Sequence, residues 1–366
     1  MGFIIEPVNE PPIPGIRLPI YPISAVHLPS DALHTLHNVQ QKNIQMAYHL
    51  QKGNWRIKGQ DGNFFINTLV TKDTNRLATI GTLMEVVDME EVHNSCGELM
   101  RIRVECKARG LVKILGVEPQ NEFDYMVGRV EIIEQYGFDS LSDSNDIPPE
   151  MTPLDIPSSH FEQIIEDYAA VRDLYMDENG VGSRELPPFA RDKVQTHLST
   201  FTLQDILNPR TFWNVAECWQ MLCNTIREAR RSNLQSDMNE IMIESEMKKG
   251  GMLKLPIKRE KLGPDVQAVL NKMEVDACED FHSLGMDPCL NFQILIGMCE
   301  GYDRDSNSLN EYQIQRLLYL GRLISRERRR VETKGILKVL FDKSENTLFV
   351  DATNSTDTSM DDFHFA

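Results

Sequence analysis

Between residues 137 and 158 the sequence changes character. The stretch GFDSLSDSNDIPPEMTPLDIPS is dominated by Ser, Asp and Pro. Such a composition sustains neither a helical nor a strand period and reads as a linker or surface loop. The chain before it differs in kind from the chain after it, so any fold has to be organised around this boundary. A length of 366 residues accommodates two domains.

Upstream the texture is β. FFINTLVT (64–71), LATIGTLMEVVDM (77–89), LMRIRVECKA (99–108), LVKILGVE (111–118) and YMVGRVEII (125–133) are rich in β-branched residues and punctuated by Gly, Asn and Asp. Short strands with turns between them predict a compact sheet or barrel. One interruption reads as helix: residues 30–53 open on Ser30, a capping residue, and place Leu33, Leu36, Ile44, Ala47 and Tyr48 near helical spacing. Residues 1–17 are rich in proline and read as an extended arm.

Downstream the period is helical. Ser159 and Glu162 have capping-box spacing, and Phe161, Ile164, Ile165, Tyr168, Val171 and Tyr175 form one apolar stripe. Further helices are expected after Pro209, over 236–248, from Pro264 to about Gly285, after Pro288, and from about Asn310 to Lys334. Short connections favour antiparallel neighbours. From about Asp342 the chain is polar, and 342–366 reads as a disordered acidic tail. The expected class is α+β, with a β-rich domain over 18–136, a linker over 137–158 and an all-α helical bundle over 159–341.

Composition narrows the function. The formal net charge of −17 argues against non-specific attachment to a nucleic-acid backbone, which rewards a basic face. No apolar run approaches the ~20 residues that span a bilayer. The start, MGFIIEPVNEPPIPG, lacks the basic region and long apolar core of a secretory signal, so the chain as it stands is expected to be cytoplasmic. The seven cysteines are scattered without a CxxC, a pattern expected of small buried thiols rather than of a zinc site. His34 and His37, with His49 and His27 as further ligands, are the one candidate metal set among the histidines. Packed or surface imidazoles are the simpler reading, because no HExxH accompanies them.

Three stretches resemble, in order and spacing, the N-terminal substrate-binding domain of Lon proteases. Leu18-Pro19-Ile20-Tyr21-Pro22-Ile23 followed by Val26-His27-Leu28-Pro29 is similar to the family's opening strand and turn. Gln45-Met46 is similar to the end of its helix. Leu77-Ala78-Thr79-Ile80-Gly81-Thr82-Leu83 is similar to its Gly-containing strand, with the Ala108-Arg109 pair following. Ser30-Asp31 replaces the family's glycine turn, Asn38-Val39-Gln40-Gln41-Lys42-Asn43 replaces its helix-capping Phe-Glu-Pro-Arg-Tyr, and Gly110 stands where an aromatic often follows the arginine. The resemblance covers about a third of the chain. It implies a PUA-like β-pseudobarrel with a helix on its N-terminal side, and it is closest to stand-alone Lon-domain proteins of plant and algal type with a helical second half. It also implies a plastid location if a transit peptide precedes this sequence.

The engine of a Lon protease is not expected. No GxxxxGK[ST] loop occurs, so phosphates have no cradle. The helical second half leaves no room for the Ser–Lys protease domain, and no GxSxG or acid–base couple stands out. The resemblance therefore implies a non-catalytic polypeptide-recognition or adaptor protein, without cofactor or metal, whose partners are polypeptide clients or protease and chaperone components and whose role is in protein quality control. RNA binding through the PUA kinship and an unrecognised enzyme are the alternatives. Trp55, Phe64 and Phe65, beside a Gly-rich polar stretch, are candidate polypeptide anchors or, equally, core residues of a hairpin. Arg326, Arg329 and Arg330 form a candidate docking patch, against the plainer reading of helix C-terminal charge.

Overall fold

The computed structural model describes residues 15–71, 76–118, 123–135, 158–184, 186–200, 209–248, 257–283, 288–299 and 309–354. Strand β1 (Ile16–Ile23) divides its partners: Ile16 to Pro19 pair antiparallel with β6 (Val127–Gln135), and Ile20 to Ile23 pair parallel with β3 (Phe64–Leu69). Each half thus pairs on one side, which is how a strand tolerates Pro19 and Pro22 without their N–H groups. β3 pairs with β4 (Ile80–His93), β4 with β5 (Leu99–Val117), and β5 with β6, all antiparallel. The ladder therefore returns to β1. The two segments expected at 99–108 and 111–118 are one continuous strand. Register shifts at Leu83/Met84 and Val86/Asp88 bend the long β4–β5 pair. Gly81 lies just before this bend: a Cβ there would sit 2.7 Å from Ile66 Cγ2, so the close approach of β3 to β4 requires glycine.

β3, FFINTL, is buried at every position, the polar Asn67 and Thr68 included. Alternate residues point to opposite faces, and both faces are buried. Phe64 and Ile66 join Leu18, Ile20, Leu83, Val112, Ile114 and Val130 in one core. Phe65 joins Tyr21, Trp55, Met84, Ile102, Val104 and Tyr125 in another, roofed by Ile44, Met46, Ala47 and Leu50 of helix α1 (Gln41–Gln51).

The helix expected from Ser30 begins only at Gln41. Residues Leu33–Asn38 are instead strand β2, paired antiparallel with Lys107 to Ile102 of β5. The spacing of Leu33 and Leu36 suits a helix, but burial alternates along the end of the strand, with Leu36 and Asn38 inward and His37 outward. Cross-strand pairing decided the outcome. Ser30 caps no helix, because its hydroxyl donates to Glu217.

The second half comprises α2 (Ser158–Met176), α3 (Val181–Arg184), α4 (Pro188–Thr200), α5 (Pro209–Lys248), α6 (Pro264–Ser283), α7 (Pro288–Gly297) and α8 (Leu309–Asn354). Most of the α2 stripe packs inward, with Ile164, Tyr168, Val171 and Tyr175 buried and Phe161 partly so, while Ile165 faces outward. The helices expected after Pro209 and over 236–248 are one 40-residue helix, and α8 runs well past Lys334 and Asp342. The expected linker lies almost wholly outside the described residues, as do the arm before residue 15 and the end of the tail from 355.

The largest core runs through both halves. Val26, Leu28, Leu69, Ala78, Ile80 and Leu111 of the β-rich part pack in one cluster with Tyr168, Phe212, Trp213, Val215, Ala216, Trp219, Phe292, Leu295 and Leu317. Each large aliphatic or Phe side chain in it contributes roughly 1.5–3 kcal/mol on leaving water. Polar groups fix the orientation across this seam. Asn214, Glu217 and Gln220 line one face of α5 and read the loop after β1: Asn214 Oδ1 accepts from the Asp31 N–H at 2.8 Å, Glu217 accepts from Ser30, and Gln220 Nε2 donates to the Val26 carbonyl at 2.9 Å. Gln293 Nε2 of α7 donates to the Ile80 carbonyl at 3.0 Å. Arg316 of α8, fully buried, lies 2.7 Å from Glu134 of β6, donates to the Leu295 carbonyl, and stacks its guanidinium 4.8 Å from the Trp213 ring centroid.

Two imidazoles complete the seam. His27 and His34 stack with centroids 4.3 Å apart, and His34 Nε2 lies 3.9 Å from Glu217 Oε1. His27 Nδ1 and His34 Nε2 have no hydrogen-bond partner among the described residues. Burial, then the neighbouring His34, lowers His27 to about 3, burial lowers His34, and burial raises Glu217 against the opposing hydrogen bond from Ser30.

Three outcomes follow from this seam. Glu134→Ala, which strands the Arg316 charge, is expected to cost about 3–5 kcal/mol in urea unfolding, and Glu134→Leu with Arg316→Met to recover most of that. Gly110→Ala would drive a Cβ into the carbonyl of Glu134, with an expected cost of about 1–3 kcal/mol by the same measurement. Below about pH 6.5 the unfolded histidines take up protons that the folded His27 refuses, so stability falls with pH by up to about 1.4 kcal/mol per unit for that residue. Unfolding curves from pH 7 to 4.5 should show a shallower loss for His27→Gln than for the unsubstituted chain.

Candidate polypeptide-docking surface

β2 stands at the end of the strand order. One edge pairs with β5, and no described strand pairs with the other. The outward face of β2 carries Leu33, which is 53% exposed, with Thr35 and His37 also exposed. Val39, 63% exposed, follows at its end. Beside it on β5 the outward row is charged: Arg101, Arg103, Glu105 and Lys107. Arg103 pairs with Glu90 and Glu105, and Lys107 with Asp31. Chemically this is an open strand edge flanked by two exposed apolar side chains, set against a self-neutralised charged ribbon. Such an edge accepts an extended chain by main-chain hydrogen bonding.

The residues singled out from sequence lie elsewhere. Phe64 and Phe65 are fully buried in two different cores and Trp55 is nearly so, which corresponds to the hairpin-core alternative. The Gly-rich stretch around them suggested exposure because the covering elements, α1 and β4, are remote in its local pattern. Trp55 is held by its indole N–H, which donates to Tyr125 Oη at 3.1 Å.

The basic block of α8 divides by helical phase. Arg326 and Arg329 are exposed, with Arg322 one turn earlier. Arg330 does not belong to any docking patch: it is buried, donates to both carboxylate oxygens of Glu327 and to Tyr175 Oη. Arg230 of α5 approaches the same carboxylate at 3.9 Å. Burial works to raise the Glu327 carboxyl, but Arg330, Arg230 and the Tyr175 hydroxyl hold it below its ordinary value. Since α8 continues to Asn354, the block is mid-helix, and a C-terminal macrodipole does not account for it.

His34 and His37 are three apart on a strand and so face opposite ways. His49 Nδ1 meets Tyr125 Oη at 2.7 Å. Among the described residues no three His, Cys, Asp or Glu side chains converge as metal ligands, and no helix is long and apolar enough to cross a membrane.

No protein-family model matches the chain, and no curated protein does. Among solved structures, a Lon N-terminal domain protein from Xanthomonas campestris is 14% identical, covering 55% of this chain and 97% of that one with a TM-score of 0.28. The N-terminal domain of a Mycobacterium avium complex Lon protease is 9% identical, covering 57% and 97% with a TM-score of 0.29. Overlap at that level establishes neither a shared fold nor a shared function, and the likeness to the Lon N-terminal domain rests on the motifs of β1, α1 and β4.

Proposed function

We propose that the chain is a non-catalytic polypeptide-recognition protein of the Lon N-terminal kind, which takes up an extended client segment along the free edge of β2. The carrying observation is that edge, with Leu33 and Val39 exposed at its two ends. Proteins ordinarily cover or charge such an edge. Here the charged residues sit one strand inward and neutralise one another, so the edge itself stays open. The ordered Lon-like motifs support the same reading, as does the lack of a Walker loop in the sequence. The helical half, locked to the β-rich part, would present the bound client to a protease or chaperone in protein quality control.

Fluorescence anisotropy with a labelled, permanently unfolded polypeptide tests this. Leu33→Lys with Val39→Lys, which charges both ends of the edge, is expected to weaken binding at least about tenfold, roughly 1.4 kcal/mol, with the unfolding midpoint little changed. Equal binding by both proteins, or no binding by the unsubstituted chain, would overturn the reading.

A further inference from the structure

One face of α8 carries charge that no described residue meets. Arg322, Arg326 and Arg329 stand at i, i+4 and i+7, so they share one side of the helix, and all three are exposed. The other arginines of α8 are paired: Arg316 with Glu134, Arg328 with Asp167 and Glu332, and Arg330 with Glu327. Arg322, Arg326 and Arg329 have no carboxylate partner among the described residues. Of the acids on this stretch, Glu327 is buried and Glu332 is held by Arg328 at 2.9 Å. Arg329 Nε reaches the Ser325 carbonyl of its own helix at 3.4 Å.

Such a row works against its own helix. Like charges three and four residues apart repel across one face, so the row destabilises α8 without a compensating contact among the described residues. The helix runs on to Asn354, so the pull of a helix C-terminus does not call for it. In a chain of net charge −17, solubility does not call for it either. Tyr319 lies half-buried beside the row, its hydroxyl donating to Asn291 Oδ1 of α7 at 3.2 Å. Burial raises that hydroxyl and Arg326 and Arg322 oppose the rise, which sets both guanidinium groups near it.

The spacing selects the occupant. The rise is about 6 Å from Arg322 to Arg326 and about 4.5 Å on to Arg329. An extended chain carries alternate side chains about 6.6 Å apart on one side, and the long arginine stems take up the difference. Acids at alternate positions therefore meet the row one to one, with a guanidinium for each carboxylate. A nucleic acid fits less well, because phosphates beyond a row about 10 Å long would face a chain whose net charge repels them. We infer that the Arg322, Arg326 and Arg329 face of α8 docks an acidic segment of a partner polypeptide. This face belongs to the helical half and is separate from the β2 edge, so it takes its partner with or without a client there.

The probe is a labelled Glu-Gly-Glu-Gly-Glu peptide, measured by anisotropy against the full chain at low salt, with a Gln-Gly-Gln-Gly-Gln peptide and a short labelled oligouridylate as comparisons. The expected result is saturable binding of the glutamate peptide that is lost at high salt. Combining Arg322→Gln, Arg326→Gln and Arg329→Gln should weaken it about tenfold. Combining Lys52→Gln, Lys58→Gln and Arg231→Gln, which removes the same charge from other exposed positions, should change it by less than about twofold. The row variant should unfold in urea at an unchanged or higher midpoint, since repulsion along α8 is relieved. A lower midpoint would mark the row as structural and overturn the docking role. Equal binding by the row variant, an equal loss in the other triple variant, equal binding of the glutamine peptide, or tighter binding of the oligouridylate also overturns it. So does binding that emerges only after Asp139→Asn, Asp143→Asn and Asp146→Asn, which would make the chain's own acidic segment the occupant.

Discussion

The buried ion pair between Arg316 and Glu134 is the contact on which the arrangement of the two halves depends. A guanidinium taken wholly out of water is tolerated only when its charge and its donors are met. Here partners come to α8 from three other elements: Glu134 from β6, the Leu295 carbonyl from α7 and the Trp213 ring from α5. No two of these can shift independently without stranding the charge. The apolar packing around it supplies most of the favourable free energy, but apolar contact is not directional. The ion pair selects one way of seating the helices on the strands.

The polar face of α5 acts in the same sense. Asn214, Glu217 and Gln220 recur every third residue and read successive groups of the loop from Val26 to Asp31. Ser30-Asp31, a departure from the Lon-like turn, is therefore matched by residues nearly two hundred positions away. Gly110 lies where its backbone passes tightly against the carbonyl of Glu134. Both positions fall at the junction with the helices, so the local backbone there is set by the helical half as well as by the strands.

Most strands were legible because each has local alternation or a β-branched run, and α2 because its stripe stays in phase from Ile164 to Tyr175. β2 was not, since Leu33 and Leu36 fit a helix and a strand alike and only pairing with β5 decides. The continuity of α5 past Arg231 was hidden because its polar middle looks like a terminus. The docking edge was similarly invisible: that β2 lies last in the sheet is a property of topology and not of its six residues. Phe64 and Phe65 misled for the converse reason, their cover being supplied by remote segments. Arg330 could not be told from Arg329 without the phase of the helix against Tyr175 and Glu327.

The shared core has a consequence for how the chain is made. Val26, Leu28, Leu69, Ala78, Ile80 and Leu111 are synthesised long before Trp213, Phe292 and Leu317, the residues that cover them. During translation the β-rich part therefore emerges with one apolar end uncovered, and it stays so until the last helix has left the ribosome. A nascent chain in that state exposes the kind of surface that chaperones bind. The chain's own folding thus passes through a stage in which it needs the same cover that an unfolded polypeptide needs.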